Sequence, residues 1–537
     1  MASVTAARRA RLSLAAGLCL LFALAGFAPA RADAPSAGGD VSIAQTLGDR
    51  ELTVVLRRVT SVPGPLRVEV VTHAGTPAGR LTLTAIPVGA SSAPKTPAAG
   101  APTSRGGLDL GAAPGMYSAT LNVDRAGPWE LAVGDGARVA RIPFVVPIQP
   151  TSPPERLVYG GFLAAGLLLP VSVVVALRAR RTAWALLPVG GVVAGIAVAV
   201  TGAVLSASLP LPPQPGIQLD PGVDNVTHPY ALGQPLVSDF SRPPVMLTVG
   251  TASLTAGQPG DLGLDLADAA TGAPVDDLVI HDSALIHLLV IGPTGTLQHL
   301  HPIRTAPGRY QVYLVPPAPG HYALSAELAR RGGGVQMVRA ATGFTVAPGA
   351  VPTPSPDTPL RPSGMAASAT LGGTPVTVTA TAARAGAPTT LTATFGDAAD
   401  LQPWLGMVGH MVVAGPLPDI PDIGAAVQNS PVWGHAHSMG GSAMGDMGDM
   451  GDMPGMSMPG MADMPGMHHD SGGAMLMLPV NGDSAPDETV AAYGPNVPFT
   501  YTFPTPGRYR IWIQAERHYT VLTIPIVLDV AAPEPPQ

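Results

Sequence analysis

The sequence predicts a mainly β protein that also carries one pair of membrane-spanning helices. Aromatic residues make up only 4% of the 537 residues and charged residues 12%, whereas Gly (64) and Pro (61) together exceed a fifth of the chain. This composition favours short strands joined by many turns over long helices. The length exceeds what one hydrophobic core usually serves, so we expect several β modules joined by Pro-rich linkers. The net charge of −7 comes without a basic stripe, which argues against a nucleic-acid-binding protein.

Residues 1–32 are predicted to be a cleavable export signal. Three arginines, at positions 8, 9 and 11, precede an apolar run from Leu12 to Phe27, and Ala30 and Ala32 form an A-x-A pattern. The only cysteine, Cys19, lies in this run and would leave with the signal. The exported protein is then expected to have no disulfide, no thiolate metal ligand and no cysteine nucleophile.

Two apolar runs, Leu157 to Leu177 and Trp184 to Leu209, predict a transmembrane hairpin over residues 157–209. Both runs are long enough to cross a bilayer core and neither contains a charge. The short connection between them contains Arg178, Arg180 and Arg181. Because positive loops stay in the cytoplasm, the rest of the chain is expected on the extracytoplasmic side of the plasma membrane. The alternative, a buried helical hairpin in a soluble domain, lacks a helical partner to cover it.

A repeated segment predicts three related modules. Pro114 to Val133 and Pro307 to Ala326 both open with Pro-Gly-x-Tyr, and the next glycine of the pattern follows twelve residues after the first. Phe499 to Glu516 is a third copy, and each copy is predicted to form a hairpin of two alternating strands. Such repetition indicates duplicated domains, and each should be an antiparallel β-sandwich of immunoglobulin-like or cupredoxin-like type. We place the modules at residues 36–149, 243–347 and 368–532.

Two of these modules carry histidines in the same order. In each, one histidine lies in an apolar strand and is followed by an H-x-H pair, whose members point to one face of a strand. Clustered neutral imidazoles are the usual ligands of Cu, Zn or Ni. Histidines held by backbone carbonyls and retained for packing are the alternative. The predicted metal ligands are His287, His299 and His301 in module two and His410, His435 and His437 in module three.

Two further histidines, His281 and His73, lie outside these triads. His281 is expected either to join the histidines of module two or to be exposed. Module one contains His73 but no H-x-H pair, so we expect module one to be a structural copy that lacks the metal site.

A methionine-rich insertion, residues 439–477, interrupts module three and contains twelve of the nineteen methionines. Thioether sulfur is a soft ligand that suits Cu(I), and the adjacent histidines of the segment also accept Cu(II). A low-complexity expansion in which methionine is merely tolerated is the alternative. The predicted ligands of this segment are Met439, Met444, Met447, Met450, Met453, Met456, Met458, Met461, Met464, Met467, His468 and His469.

The chain resembles known copper-handling proteins in short motifs. "MYSATLNVDRAGPWELAV" resembles the YtkA-like group of exported bacterial β-sandwich proteins, and "LIHLLVI…LQHLHP" and "WGHAHSMGGSAM" look like segments of larger membrane-associated relatives. The methionine-rich segment is similar to those of periplasmic copper-resistance proteins and copper transporters. The resemblance covers most of the exported chain outside the two helices and implies an extracytoplasmic role in copper handling. Module three departs from the pattern because no proline follows its H-x-H pair.

The sequence therefore predicts a membrane-anchored, extracytoplasmic protein that binds copper, as Cu(I) or Cu(II), for sequestration, resistance or delivery. An exported protein that accepts or donates copper is its expected partner. We expect no enzymatic activity, because the sequence shows no acid/base pair or substrate-pocket signature, and the lack of cysteine excludes a blue-copper site. The alternative is a metal-independent interaction or structural protein of the cell surface.

Overall fold

The computed structural model describes residues 40–59, 62–88, 104–146, 153–178, 183–207, 243–250, 253–330, 334–350, 358–362, 366–438 and 488–534. The predicted export signal and the methionine-rich insertion lie outside these residues. The chain forms two compact units, of which one contains a pair of helices and the other contains all the strands.

The helical unit is a pair of long apolar helices, α1 (Pro153–Arg178) and α2 (Ala183–Ala207). Their spans Pro154–Arg178 and Leu186–Leu205 are long and apolar enough to cross a membrane, with mean hydropathies of 2.2 and 2.0. The helices approach closely through glycines: a Cβ at Gly161 would lie 2.5 Å from the carbonyl oxygen of Gly195. Small residues allow such close packing between apolar helices. The outward-facing leucines of both helices are largely exposed.

The first module is a sandwich of two four-stranded antiparallel sheets. Its strands are β1 (Val41–Leu47), β2 (Arg50–Leu56), β3 (Gly64–Thr72), β4 (Gly79–Pro87), β5 (Ser104–Leu110), β6 (Gly115–Val123), β7 (Gly127–Gly134) and β8 (Val139–Val146). One sheet has the order β1-β2-β3-β6 and the other β5-β4-β7-β8. Apolar residues from both sheets share one core.

The second module has the same plan with additional short strands. These are β9 (Val245–Val249), β10 (Leu254–Thr255), β11 (Gly260–Asp268), β12 (Leu278–Val279), β13 (His287–Ile291), β14 (Leu297–Leu300), β15 (Ile303–Ala306), β16 (Arg309–Leu314), β17 (Gly320–Arg330), β18 (Gly334–Arg339) and β19 (Phe344–Ala347). One sheet has the order β15-β16-β11-β9. The other has the order β10-β19-β17-β13-β14, with β12 and β18 also paired to β17.

The third module repeats this arrangement and adds a short helix, α3 (Ile423–Gln428). Its strands are β20 (Ala367–Leu371), β21 (Thr374–Ala380), β22 (Pro388–Phe395), β23 (Leu401–Gln402), β24 (Gly409–Gly415), β25 (Val432–Ser438), β26 (Asn496–Thr502), β27 (Gly507–Arg517) and β28 (Thr520–Val530). One sheet is β20-β21-β22-β26 and the other is β23-β27-β24-β25, with β28 paired to β27. The prediction of a mainly β fold with three antiparallel sandwiches and a two-helix hairpin is confirmed.

The repeated segments are not hairpins, and that prediction was wrong. In each copy the two strands belong to opposite sheets: β6 pairs with β3, whereas β7 pairs with β4 and β8. An aromatic side chain two residues after the second glycine fixes this crossing, because its polar atom donates a hydrogen bond to the carbonyl four residues earlier. The three bonds are Trp129 Nε1 to Arg125 at 3.0 Å, Tyr322 OH to Ala318 at 2.8 Å and Tyr509 OH to Thr505 at 2.8 Å.

Modules two and three pack together through one sheet of each. Along β13 the residues alternate, so that Leu288 and Val290 enter the core of module two while Leu289 and Ile291 contact module three. Strand β24 does the same with Val412 on the contact face. These strands are buried on both faces, which explains why they read as nearly continuous apolar runs.

Module one contacts both of the other modules. The backbone N–H of Thr46 donates to the carbonyl of His301 at 2.7 Å, and that of Ala74 donates to the carbonyl of Tyr519 at 2.7 Å. A salt bridge of 2.9 Å joins Arg304 Nη1 to Glu130. The three modules therefore meet around the segment that contains the H-x-H pair of module two.

Candidate metal centre

The six predicted histidine ligands of modules two and three lie together in one cluster, the six-histidine centre. Ring centroids within it are separated by 4.5 Å for His435 and His437 and by 6.4 Å for His287 and His410. Across the module boundary, the rings of His299 and His435 are 5.0 Å apart. The sequence predicts one triad in each module, and the structure joins the two triads into a single site.

The strand pairing explains this convergence. Strand β14 pairs with β13 with His299 opposite Leu289, and β25 pairs with β24 with His437 directly opposite His410. Each H-x-H pair therefore lies beside the histidine of the neighbouring strand. Because β13 and β24 turn their contact faces toward each other's module, the two sets of histidines meet at one end of the apolar contact.

The first histidine of each triad donates to a backbone carbonyl. The Nε2–H of His287 donates to the carbonyl of His281 at 3.2 Å, and that of His410 donates to the carbonyl of Trp404 at 3.1 Å. Both acceptors lie six residues before the histidine, so the two modules use equivalent positions.

The second histidine of each triad is held by the other module. The Nδ1–H of His299 donates to Gln514 Oε1 at 3.0 Å, and that of His435 donates to Glu327 Oε2 at 3.1 Å. The amide of Gln514 is oriented by a bond from its Nε2 to Thr523 Oγ1 at 2.9 Å. Glu327 and Gln514 lie opposite His287 and His410 in their own sheets and occupy the same place in the repeat.

The third histidine of each triad is held by a carboxylate of a preceding module. His301 Nδ1 bonds to Glu51 of module one, and His437 Nδ1 lies 3.1 Å from Asp282 Oδ2 of module two. In both rings the Nε2 atom is buried and has no hydrogen-bond partner among the described residues. Such orphaned buried nitrogens are expected where a ligand is missing.

Burial sets the protonation of the cluster. It lowers the pKa of His287, His299 and His410 well below the usual value, and the neighbouring imidazoles act in the same direction. Burial also lowers the pKa of His435, although its bond to Glu327 opposes this shift. These four rings are therefore neutral at pH 7, which is the form that binds metals.

The carboxylates beside the cluster remain ionised. Burial alone would raise the pKa of Glu327, but hydrogen bonds from His281 and His435 hold it below the usual value, and His281 and His437 do the same for Asp282. Burial would lower the pKa of His281, but its bonds to Asp282 and Glu327 raise it to about 9. The site thus combines neutral imidazoles with negative charge that would offset a bound cation.

An aromatic residue covers the centre on the side of module one. The ring of Trp404 lies 4.8 Å from that of His410 and 5.1 Å from that of His299. Trp404 packs with Leu405 and with Ala44 of module one. The centre is therefore closed by residues from all three modules.

Several participants were missed by the sequence analysis. Module one, predicted to be a copy without the site, contributes Glu51, and its His73 lies 2.5 Å from Glu516 Oε1 of module three. His281 lies against Asp282 and Glu327 beside the six-histidine centre, and these three side chains form a further group that could hold a metal ion. Glu327 and Gln514 could have been found from their equivalent positions seven residues after the repeated glycines, whereas nothing local marks Glu51. The predicted ligands of the methionine-rich insertion, Met439, Met444, Met447, Met450, Met453, Met456, Met458, Met461, Met464, Met467, His468 and His469, lie outside the described residues.

No protein-family model and no curated protein matches this chain. Among solved structures, the chain is similar to a tetra-tandem repeat in the extending region of a large adhesion protein, with 10% identity, a TM-score of 0.15, and coverage of 92% of this chain and 74% of that one. It is also similar to the adhesin FdeC of Escherichia coli, with 11% identity, a TM-score of 0.14, and coverage of 92% and 98%. At these values the likeness carries no information about function.

Proposed function

We propose that this protein binds copper outside the cytoplasm and sequesters it or passes it on. The observation that carries the proposal is the convergence of six imidazoles from two modules into one buried centre. A purely structural role would leave no buried ring nitrogen without a partner. Here the orienting bonds cross between modules, and two ring nitrogens have no partner among the described residues.

The donor set suits a transition metal. Imidazole nitrogen binds Cu, Zn and Ni, and the carboxylates that hold His301, His435 and His437 are the usual outer partners of metal-bound histidines. Copper is favoured over zinc because the chain also contains the methionine-rich segment, whose soft thioethers suit Cu(I). With its only cysteine in the predicted export signal, the protein has methionine as its soft ligand.

The two apolar helices would anchor the protein in the plasma membrane. The arginines between them favour a cytoplasmic turn, which would place the β modules on the extracytoplasmic side. There the methionine-rich segment would capture copper and exchange it with the six-histidine centre or with an exported partner protein. Binding and exchange require no catalysed reaction, and we propose none.

A Cu(I) competition titration of the full-length protein in detergent tests this function. We expect the wild-type protein to compete with a chelator, and a variant with His410, His435 and His437 changed to alanine to lose the tight component. A second variant, with serine in place of the twelve methionines between Met439 and Met477 and of His468 and His469, should lose weaker sites only. His518→Asn is the matched control, because His518 is 72% exposed in the same module. Equal copper binding by all four proteins would contradict the proposal.

A metal-independent interaction protein of the cell surface is the second candidate. Its support is the architecture itself, in which the chain forms three sandwiches and two helices that could serve as an anchor. If neither copper nor zinc changes the thermal unfolding of the protein at ligand excess, this candidate is favoured, because any ligand specific to the folded state must stabilise it.

A further inference from the structure

In the six-histidine centre, one nitrogen of each ring faces an outer partner and the other faces the neighbouring rings. A neutral imidazole has one N–H and one lone pair. In each ring one nitrogen faces an oxygen that can only accept: a backbone carbonyl, the amide oxygen of Gln514, or a carboxylate. The donating atoms are Nε2 of His287 and His410 and Nδ1 of His299, His301, His435 and His437. In the neutral form of each ring, the remaining nitrogen offers a lone pair, which is the group that a metal ion binds.

Two pairs of these nitrogens lie close together, and each pair marks one candidate place for an ion. His287 Nδ1 lies 3.2 Å from His299 Nε2, and His410 Nδ1 lies 3.4 Å from His435 Nε2. Neither pair has a proton to share, so each contact is repulsive unless a cation lies against both nitrogens. Two nitrogens bound to one ion at about 2.0–2.1 Å with tetrahedral angles are about 3.3 Å apart, which matches both spacings.

A third imidazole lies near each place: His301 beside the first pair and His437 beside the second. The ligand atoms of His287, His299 and His301 all lie within 4.8 Å of one another, and His301 supplies its unpartnered Nε2. In the other triad, the ring of His437 lies 4.5 Å from that of His435 and 4.9 Å from that of His410, and its Nε2 is also unpartnered among the described residues. The ligand atoms of His410 and His435 also lie within 4.8 Å of that of His299, and those of His435 and His437 within 4.8 Å of that of Glu327.

The two places are related by the internal repeat. Each uses Nδ1 of a strand histidine and Nε2 of both members of an H-x-H pair, and each has a histidine held by the other module. A site built once per module and joined face to face provides two equivalent positions, whereas a single ion could use only some of the six nitrogens.

We infer that the six-histidine centre holds two copper ions, one per triad, each bound by three imidazole nitrogens. The first ion is bound by His287 Nδ1, His299 Nε2 and His301 Nε2, and the second by His410 Nδ1, His435 Nε2 and His437 Nε2. Rings of the two triads are 5.0 to 6.4 Å apart, so the ions are close neighbours. This inference rests on the proposed copper-binding function.

The two ions are held unequally. Among the partners of the first triad, one side chain, Glu51, has a carboxyl group and the other, Gln514, has an amide, whereas both partners of the second triad, Glu327 and Asp282, have carboxyl groups. A carboxylate partner makes an imidazole a stronger base and a stronger ligand. The second position therefore binds copper more tightly, and Glu327→Gln, which preserves the shape of the side chain, should weaken that position about 10–100-fold and leave the first unchanged.

Copper stoichiometry tests this inference. The background is the full-length protein with serine in place of the methionines from 439 to 477 and of His468 and His469, so that only the centre can bind tightly. After loading with Cu(I) and dialysis against a weak chelator, elemental analysis should give two copper ions per chain. His287→Ala and His410→Ala should each leave one, the double variant none, and the control His518→Asn two. Thermal unfolding of the metal-free variants checks their folding, and Glu327→Gln stays informative if the alanine variants unfold.

Electron paramagnetic resonance with Cu(II) gives a second readout. Two neighbouring ions should show a broadened or diminished signal, and His287→Ala or His410→Ala should restore that of an isolated ion. One copper per chain, lost in both variants, would overturn the two-ion inference and leave the proposed function standing. No copper in the serine background would overturn the metal centre altogether, and if the methionine-rich segment also fails to bind, the proposed function fails as well.

Discussion

Replacing Trp512 tests whether the docking of modules two and three creates the metal centre. Trp512 is fully buried in the apolar contact between the modules, where it packs with Leu289 and Val412, and its Nε1–H donates to the carbonyl of Gly295 at 2.9 Å. Changing a buried tryptophan to alanine typically costs about 3–5 kcal/mol. The carbonyl of Gly295, left without its donor, adds a penalty of about 1–3 kcal/mol. We therefore expect Trp512→Ala to lower the free energy of unfolding by about 5 kcal/mol.

This loss should appear in copper binding as well as in stability. Because each triad needs a partner from the opposite module, an ion can bind fully only when the modules are docked. A loss of about 3 kcal/mol in docking free energy would weaken such binding by up to about a hundredfold, since 1.4 kcal/mol corresponds to a factor of ten. Urea denaturation and Cu(I) competition on Trp512→Ala measure the two quantities separately.

Trp129→Ala is the matched control. Trp129 is also fully buried and its Nε1–H also donates to a backbone carbonyl, that of Arg125 at 3.0 Å, but it lies in the core of module one. We expect a similar loss of stability with little change in copper affinity at temperatures where the protein stays folded. If Trp512→Ala binds copper as tightly as Trp129→Ala, docking does not create the centre.

Three further predictions concern protonation and buried charge. Burial lowers the pKa of His287, His299 and His410, so protons compete weakly for these ligands, and copper affinity of the serine background should fall less between pH 7.5 and 5.5 than that of an exposed histidine peptide. Burial raises the pKa of Glu488 from 4.5 to about 7, and the bond to Glu516 overcomes burial to raise that of His73 from 6.5 to about 9. Both folded-state pKa values lie above the unfolded ones, so the contributions of these two groups to stability should fall as pH rises, that of Glu488 between about 4.5 and 7 and that of His73 between about 6.5 and 9. The buried histidines whose pKa is lowered contribute in the opposite direction as pH rises toward 6.5. Urea midpoints of the wild type, Glu488→Gln and His73→Gln at pH 5, 7 and 9 isolate the two steps, because the advantage of the wild type over Glu488→Gln should fall between pH 5 and 7 and that over His73→Gln between pH 7 and 9. An advantage that stays constant or rises with pH would contradict the assignment. Arg330→Met should lower the urea midpoint, because it removes the guanidinium now 2.6 Å from the carboxylate of Asp268 and 2.9 Å from that of Asp277. Exposed Arg309→Met is the control, and equal urea midpoints for the two variants would show that these pairs contribute little.

The sequence was sufficient to predict the mainly β fold and the pairing of histidines on one strand face, because both depend on local pattern. The G-x-Y motif marks the start of a strand in every module, and the H-x-H spacing puts two rings on one face whatever the surroundings. The predicted hairpins failed because alternation identifies a strand without naming its partner, and the bond from Tyr322 to Ala318 turns the chain toward the opposite sheet.

The union of the two triads could not be predicted for the same reason. The run from Leu288 to Ile291 is apolar on both faces, which indicates that something covers the second face, but not that module three does so. The role of Glu51 is harder to predict, because Glu51 and His301 are 250 residues apart in the sequence and meet only when module one packs against module two. Long-range docking depends on the summed shape and polarity of whole sheets, which no short motif encodes.

Modules two and three each hold one histidine of the other, through Gln514 and Glu327. This reciprocity is the arrangement of an isologous homodimer interface, although both halves here belong to one chain. In a true homodimer of identical subunits, every position occurs twice, so the partners of the two equivalent histidines would have to be the same residue. Tandem fusion removes that constraint. Module two can hold the histidine of its neighbour with Glu327, and module three can do so with Gln514. A single protein can then offer one position that binds the metal tightly and one that releases it more readily.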